Sequence, residues 1–262
     1  MNTLLRIPAV FAFEWRRALT VPRLAWMVAL IAFPPVLLGL ARATARTAPP
    51  PEIASLLVFI LSPCVACMMS VFLLATPAVS SELEGRSWVY LAVRPHGPLA
   101  VLLGKYLVAV TWALPVGLIS ATVSVLVLGP EKIGRLIVVE CGLVCLSCLA
   151  YSAVFLLIGV IAPKRAMVVG MIYSVVFEVG AAFVPAAVNL LTVQHRLRCV
   201  LVRGMEMDAR LAERNPILLS YFGEESTTWH VMMLLAMTTG YLIAAALLIR
   251  YREFTFASES ET

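Results

Sequence analysis

The sequence predicts an all-α integral membrane protein with six transmembrane helices, an N-terminal interfacial helix and a short cytoplasmic helix between two spans. Of the 262 residues, 61% are hydrophobic and only 13% are charged. A soluble domain carries about a quarter charged residues, so this composition is typical of a membrane protein. The apolar runs are long and do not alternate over about 10 residues as the strands of a transmembrane β-barrel do.

The first predicted element is a short amphipathic helix within residues 1–23. Apolar residues recur every four positions with charged residues between them: Phe11, Trp15 and Leu19, and Glu14, Arg16 and Arg17. Residues four apart share one helix face, so this helix can lie in the membrane interface before the first span. The alternative is a solvated N-terminus without regular structure. Charges at these positions argue against a cleaved signal peptide.

Six apolar runs are long enough to cross a bilayer, since a spanning helix needs about 20 residues. They are Leu24–Ala41, Ile53–Val79, Tyr106–Leu128, Leu136–Ala162, Met167–Val193 and Val231–Ile249. We predict a single domain, residues 1–262. Its parts are spans one to five in 24–193, an external segment in 194–228, span six in 229–250 and a cytoplasmic tail in 251–262. Prolines such as Pro63 mark points where the long runs can kink.

An even number of spans predicts that both termini lie on the same side of the membrane. If that side is the cytoplasm, more Lys and Arg residues lie inside than outside, in agreement with the positive-inside rule. The external segment 194–228 opposes this bias with five Arg, which acidic residues partly balance. The net charge of +5 is then a membrane-surface feature and not a signal for nucleic acid. We predict a multi-pass protein of the cell membrane with cytoplasmic termini.

The segment Ser80–Leu107 is polar, although it lies between two apolar runs. Ser81 and Glu84 have the spacing of a capping box, which predicts a helix that begins at about Glu82. That helix must end before Pro95, because a residue that precedes proline disfavours the α conformation. Apolar and charged side chains follow one another along it: Leu83, Trp88 and Leu91, and Glu82, Glu84, Arg86 and Arg94.

This segment resembles the loop between the second and third spans of ABC-2-type transporter permeases. The shared positions are Glu82, Glu84, Gly85, Leu91, Pro95, Gly104 and Lys105. The chain differs at Arg86, where the family usually has Thr, and after Pro95, where a Ser-Arg pair is usual. The resemblance extends over nearly the whole chain, including Asn215-Pro216 in the external segment and Pro163–Arg165, Tyr173 and Phe177-Glu178 around the fifth span.

The resemblance implies that the polar helix docks on a separate ATPase subunit in the cytoplasm. The implied coupling residues are Glu82, Glu84, Gly85, Arg86, Trp88, Leu91, Arg94 and Pro95. It also implies a second permease subunit, most simply an identical copy, and export of a substrate between the two. ATP would be bound by the partner subunit, with no cofactor on this chain. An ordinary interfacial loop helix without a partner is the alternative for this segment.

The chain contains none of the common catalytic motifs, so we expect a transport subunit and not an enzyme. No GxxxxGK[ST] sequence is present to cradle ATP phosphates. HExxH and GxSxG are also missing. Two other functions stay open: a non-transporting membrane scaffold or assembly factor, and an intramembrane enzyme that uses Glu178. The enzyme would need a second polar group at the same depth as Glu178.

Two carboxylates and a group of cysteines lie within the apolar runs. Glu178 is near the middle of the fifth run, where a charge is expensive and marks a functional candidate. It either lines a substrate or proton path or is structural, bonded to Tyr173, Ser174 or a neighbouring helix. Glu140 is expected at the outer interface. We predict no metal site, because the cysteine spacing also suits close helix packing: Cys64 and Cys67, and Cys141, Cys145 and Cys148.

Overall fold

The computed structural model describes residues 7–45, 49–84, 97–130, 132–180, 192–207 and 225–251. Within these ranges the chain is helical throughout and contains no strand. The α-helices are α1 (Ile7–Ala18), α2 (Val21–Thr44), α3 (Pro51–Phe59), α4 (Met68–Ala75), α5 (Ser80–Glu84), α6 (Gly97–Leu128), α7 (Ile133–Ile161), α8 (Ala166–Ile172), α9 (Val193–Gly204) and α10 (Thr227–Tyr251).

Five stretches among the described residues are long and apolar enough to cross a membrane. They are Val21–Thr44, Pro51–Glu82, Gly97–Leu128, Ile133–Ile161 and Thr227–Tyr251. These stretches confirm an all-α, multi-pass membrane protein and correspond to five of the six predicted runs. The fifth predicted run, Met167–Val193, is not among them, and residues 181–191 within it lie outside the described ranges.

The second crossing changes its helical form at the predicted proline. Between α3 and α4 the segment Ile60–Cys67 is a π-helix that contains Pro63. Proline has no amide hydrogen, so the regular bond pattern is interrupted there, and such a bulge is a recognised cause of helix distortion. The Ser147 hydroxyl on α7 donates to the Pro63 carbonyl at 2.8 Å. This hydrogen bond fixes the π-helical segment against α7.

The end of this crossing differs from the predicted capping box. A short 3₁₀ turn, Thr76–Ala78, follows α4, and the helix resumes at Ser80. The Ser81 hydroxyl donates to the Ala78 carbonyl at 3.1 Å, so it does not cap a new helix by accepting an amide. A serine inside a helix commonly bonds back to the preceding turn in this way. The polar segment thus begins as a continuation of the second crossing.

The helix α7 lies at the centre of the bundle and packs closely on its neighbours. Gly159 on α7 lies against the Thr76 carbonyl, and a Cβ at this position would approach that oxygen to 2.6 Å. On α6, a Cβ at Gly117 would overlap Cys67 and Val144. Small residues at such points let helix backbones approach each other, which is how helices associate in membranes.

After α7 the chain turns at Pro163–Arg165 and runs back beside it in two helical pieces. The first piece consists of α8 and the π-helical segment Tyr173–Gly180. Near the end of this piece, Glu178 accepts a hydrogen bond from Tyr151, which lies in the C-terminal half of α7. The first piece thus covers the part of α7 between its C-terminal end and Tyr151.

The second piece is α9, which begins at the level that the first piece reaches. The amide of Gln194 donates to Glu178 at 2.9 Å. At the far end of α9, the Gly204 carbonyl accepts a bond from Arg135 Nε, also at 2.9 Å, near the start of α7. The two pieces together run the length of α7. Residues 194–204, predicted to belong to the external segment, are therefore packed against the bundle as α9.

Two helices carry most of their apolar surface on the outside. Only 17% of the apolar window of α2 and 22% of that of α10 are buried, against 72% for α7. Exposed apolar side chains along a spanning helix are expected where it faces lipid. The arrangement is a bundle with α7 inside and with α2 and α10 at its periphery.

Candidate functional site

Four charged side chains meet where α1 contacts the second and third crossings. We call Glu14, Arg17, Glu82 and Lys105 the ionic cluster. Lys105 Nζ lies 2.9 Å from Glu82 Oε1 and 3.3 Å from Glu14 Oε2. Arg17 Nη1 lies 3.0 Å from Glu82 Oε1 and 4.0 Å from Glu14 Oε1. The cluster therefore joins α1, α5 and α6 through alternating charges.

The centre of the ionic cluster is buried, although all four of its side chains are ionisable. The side chains of Lys105 and Glu82 are only 7% and 6% exposed, whereas that of Arg17 is 51% exposed. Buried ions are tolerated when they are paired, because each partner replaces the water that the other has lost. Arg17 supplies the link from this buried pair to the surface.

The fold explains how a lysine near the start of a long apolar helix finds this environment. The helix α6 has 32 residues and is about 48 Å long, whereas the hydrocarbon core is about 30 Å thick. The first turns of α6 therefore extend towards the interface, where α1 packs. Phe11 and Trp15 on α1 contact Trp112 and Val108 on α6, and this apolar contact sets Glu14 and Arg17 over Lys105.

Of the predicted coupling residues, only Glu82 has a side chain that the structure describes. Glu82 is 5% exposed and lies inside the cluster, not on a free surface. The other predicted residues lie outside the described ranges or have side chains that are not described: Glu84, Gly85, Arg86, Trp88, Leu91, Arg94 and Pro95. Their coupling role stays a prediction. The polar segment 85–96 is flanked by α5 and α6, and these two helices are joined by the Glu82–Lys105 pair.

Glu178 is the second site of interest, and it joins the π-helical segment Tyr173–Gly180 to the start of α9. Its carboxylate accepts the Tyr173 hydroxyl at 2.6 Å and the Tyr151 hydroxyl at 3.0 Å. It also accepts the amides of Val193 at 3.4 Å and Gln194 at 2.9 Å. We call these four donors and the carboxylate the Glu178 network. The residue is 1% exposed.

The Glu178 network satisfies groups that would otherwise be unpaired inside the bundle. The first amides of a helix have no partner within it, and the helix dipole makes that end favourable for a carboxylate. Glu178, which belongs to a different helical piece, accepts the first amides of α9 and places a carboxylate at the positive end of its dipole. Of the bonding partners predicted from the sequence, Tyr173 is found and Ser174 is not, because the Ser174 hydroxyl donates to the Gly170 carbonyl. The geometry is that of a structural link.

Glu140, which the sequence predicts at the outer interface, is buried among the helices of the bundle. The side chain is fully buried in α7, and neither of its carboxylate oxygens has a hydrogen-bond partner among the described residues. Its predicted place at the membrane interface stays a prediction, because burial in the bundle does not give the depth of a residue in the membrane. Val139, its neighbour, packs on Gly204 at the end of α9.

The cysteines do not converge on one point. Cys141 and Cys145 are partly or fully exposed on α7, whereas Cys148 is buried with Cys64 and Cys67. In the part of the chain that the structure describes, no group of three His, Cys, Asp or Glu side chains could hold a metal ion. The contact of Cys67 with Gly117 illustrates the packing use of a small side chain.

The end of the bundle where α9 ends and α10 begins carries several charged side chains. Arg196 on α9 lies 3.5 Å from Glu225, and its Nη1 is 3.3 Å from His230 Nδ1 on α10. Arg135 forms an exposed ion pair with Glu206 at 2.9 Å, and this bond lowers the pKa of Glu206. These contacts tie α9 to α10 and to the start of α7.

No family model matches this sequence, and no characterised protein matches it at a significant level. The functional proposal below is therefore based on features of this chain, among them the ionic cluster and the Glu178 network.

Proposed function

We infer that the chain is the membrane subunit of an ABC transporter, working with a separate ATPase subunit and with a second permease subunit. The observation that carries this proposal is the buried Glu82–Lys105 pair, which joins the two helices on either side of the polar segment 85–96. A segment that receives force from a partner needs a firm attachment to the helices that it moves. The resemblance of this segment to the family's coupling loop points to the same role.

The ionic cluster suits a coupling element because it connects three helices at one point. A displacement of segment 85–96 would be transmitted to α5 and α6 directly and to α1 through Arg17 and Glu14. Packed elements move as rigid bodies between two discrete states, and each state must differ in its contacts with the partner. In this proposal Glu82 is a positioning residue, and residues 84–95 supply the contacts with the ATPase.

The link between the π-helical segment Tyr173–Gly180 and α9 is the second feature that favours transport. In many transporters, interrupted helices direct their half-helix N-termini at an anionic group of the substrate near the membrane midplane. Here α9 begins at the Glu178 carboxylate, and Tyr151 and Tyr173 hold that carboxylate from two other segments. We assign Glu178 to the link between the two pieces, where breaking and re-forming its bonds would change the path between two permease subunits.

The direct test is to purify the full chain from its native membrane in a mild detergent and to identify the proteins that accompany it. The proposal predicts an ATPase subunit in nearly equal amount, and ATP hydrolysis that depends on the presence of this chain. An intact and abundant chain that purifies without an ATPase would favour the non-transporting scaffold instead.

Variants in the polar segment make the test specific. Gly85→Pro and Leu91→Asp should abolish association with the ATPase while the protein still inserts in the membrane. Gly85→Ala is the matched control, because alanine favours a helix where proline breaks it, and it should retain the ATPase. Normal co-purification with both disruptive variants would contradict the coupling role.

A further inference from the structure

A cavity of about 90 Å³ lies beside the ionic cluster, between α1, the start of α2, the second crossing and α6. Its inner wall is apolar and is formed by residues such as Leu74, Val108 and Ala109. Its polar lining includes Arg17, Arg23 and Lys105, together with one carboxylate, that of Glu14. The cavity thus combines an apolar wall with three cationic side chains.

The charges around this cavity do not balance. Glu14 and Glu82 are shared between Arg17 and Lys105 in the ionic cluster. Arg23 has no ion pair or hydrogen bond with any other residue in the described ranges, although it lines the same cavity. Among the described side chains at this place, three cations face two carboxylates, and Arg23 is the cation that neither carboxylate contacts.

The start of α2 adds to the positive potential. Thr20 at the N-cap makes no side-chain bond to the first amides, and Pro22 occupies the first turn. The N-terminal end of a helix carries a partial positive charge, so its uncapped first turn favours an anion nearby. Arg23 belongs to this turn, and its side chain lines the cavity.

Exposed apolar side chains indicate that the cavity lies at the level of the lipid headgroups. Phe13 on α1 is 64% exposed, and Leu19 and Trp26 on either side of the α2 start are 52% and 63% exposed. Large apolar and aromatic residues next to arginines are typical of the membrane interface. A lipid whose headgroup enters this cavity can therefore lay its acyl chains along the apolar surface of α2.

We propose that this cavity binds the phosphate of an anionic phospholipid headgroup, with Arg23 as its principal cationic contact and with Arg17 and Lys105 at its side. Arginine suits this role because its planar guanidinium forms two parallel bonds to phosphate oxygens. The site is independent of the transport proposal, since it requires only the interfacial helix and the second and third crossings. A bound lipid would hold α1 on the bundle.

The test measures the thermal unfolding midpoint of the full chain in a neutral detergent during titration with dioleoyl phosphatidylglycerol. Dioleoyl phosphatidylcholine and inorganic phosphate are titrated in parallel. A ligand that binds only the folded state stabilises it by RT ln(1 + L/Kd), where L is the ligand concentration, so the midpoint rises with the logarithm of ligand concentration above Kd. We expect phosphatidylglycerol to raise the midpoint well above the effect of either comparison ligand. Equal protection by phosphatidylcholine, or by inorganic phosphate alone, would overturn the assignment to an anionic lipid.

Arg23→Gln should raise about fivefold the lipid concentration that produces a given increase of the midpoint, the effect expected of one interfacial cation. Arg16→Gln is the matched control, because it removes the same charge from the exposed side of α1 without lining the cavity. This control should respond like the wild type. An equal loss in both variants would indicate general surface attraction and would overturn the site.

A second pair of variants tests the cavity if Arg23→Gln fails to fold. Ser80 and Ser81 each donate to a backbone carbonyl three residues earlier, but only Ser81 lines the cavity. Ser81→Glu puts a carboxylate next to the cations and should remove the preference for phosphatidylglycerol. Ser80→Glu should preserve it. A Ser81→Glu protein that responds like the wild type would also overturn the proposal.

Discussion

Lys105 Nζ and Glu82 Oε1 lie 2.9 Å apart in the interior, so a buried ion pair connects the end of the second crossing to the start of the third. Arg17 extends the pair to the surface from the interfacial helix, where its side chain is 51% exposed. The pair brackets segment 85–96, which lies between α5 and α6. Its stability contribution is the first quantity to measure.

We expect Lys105→Met to destabilise the protein by about 3–5 kcal/mol, because Glu82 keeps a buried charge that has lost its principal partner. The double variant Lys105→Met with Glu82→Leu should be less destabilised than Lys105→Met alone, since the uncompensated carboxylate is then removed. Thermal unfolding in detergent, followed by tryptophan fluorescence, measures both. Arg135→Gln, which breaks an exposed pair with Glu206, is a control with little expected effect. A double variant that is less stable than Lys105→Met would contradict this account.

The sequence predicts the ionic cluster only in part. The four-residue spacing of Phe11 and Trp15 predicts an interfacial helix, and that periodicity also puts Glu14 and Arg17 near one face of it. Glu82 stood out as a charge at the end of an apolar run, but its partner could not be read from the chain. Lys105 is 23 residues away, and only the antiparallel return of α6 brings the two together.

The Glu178 network yields a second prediction, about hydrogen bonds and charge. Glu178→Ala leaves two tyrosine hydroxyls and two backbone amides without an acceptor, at a cost of about 1–3 kcal/mol for each buried donor. Glu178→Gln keeps one carbonyl acceptor and should be tolerated better. The unfolding midpoint and the yield of folded protein measure the difference. Equal loss with Gln and Ala would indicate that the charge itself is used.

Tyr173→Phe provides an internal comparison for the same network. It removes the shortest of the four contacts, at 2.6 Å, and leaves the carboxylate with its other donors. We expect a smaller loss of stability than with Glu178→Ala. A loss as large as that of Glu178→Ala would mean that the network acts through Tyr173 alone.

Close helix contact at Gly159 leads to a third prediction. A Cβ there would come within 2.6 Å of the Thr76 carbonyl, and backbone cannot move aside as a flexible side chain can. Gly159→Ala should cost about 1–3 kcal/mol, the usual range for overpacking. Gly142→Ala in the same helix meets nothing within 4 Å and should be neutral or slightly stabilising. Unfolding midpoints that are equal for the two variants would contradict the close approach.

The region of the fifth predicted run shows that hydropathy alone does not detect a helix with buried charged side chains. The apolar run Met167–Val193 predicts one continuous helix. The described part of this run forms most of α8 and the π-helical segment Tyr173–Gly180, and α9 begins at its last residue, Val193. Hydropathy misses α9 because Arg196 and His195 reduce its mean value, although both side chains are buried against other parts of the chain. Which charges are paired depends on neighbouring helices, and no local pattern in the sequence reports it.

The number of crossings determines the orientation of the termini, and this gives the fourth prediction. Five crossings would put the termini on opposite sides, whereas a sixth crossing by the part of the chain that includes α8 and α9 would return them to the same side. We expect epitope tags at both ends to be protected from protease in intact spheroplasts and cleaved after lysis. A tag inserted between Ala45 and Pro49, after the first crossing, should be cleaved without lysis and serves as the control. Cleavage of one terminal tag alone in intact spheroplasts would mean that the passage along α7 does not cross the membrane.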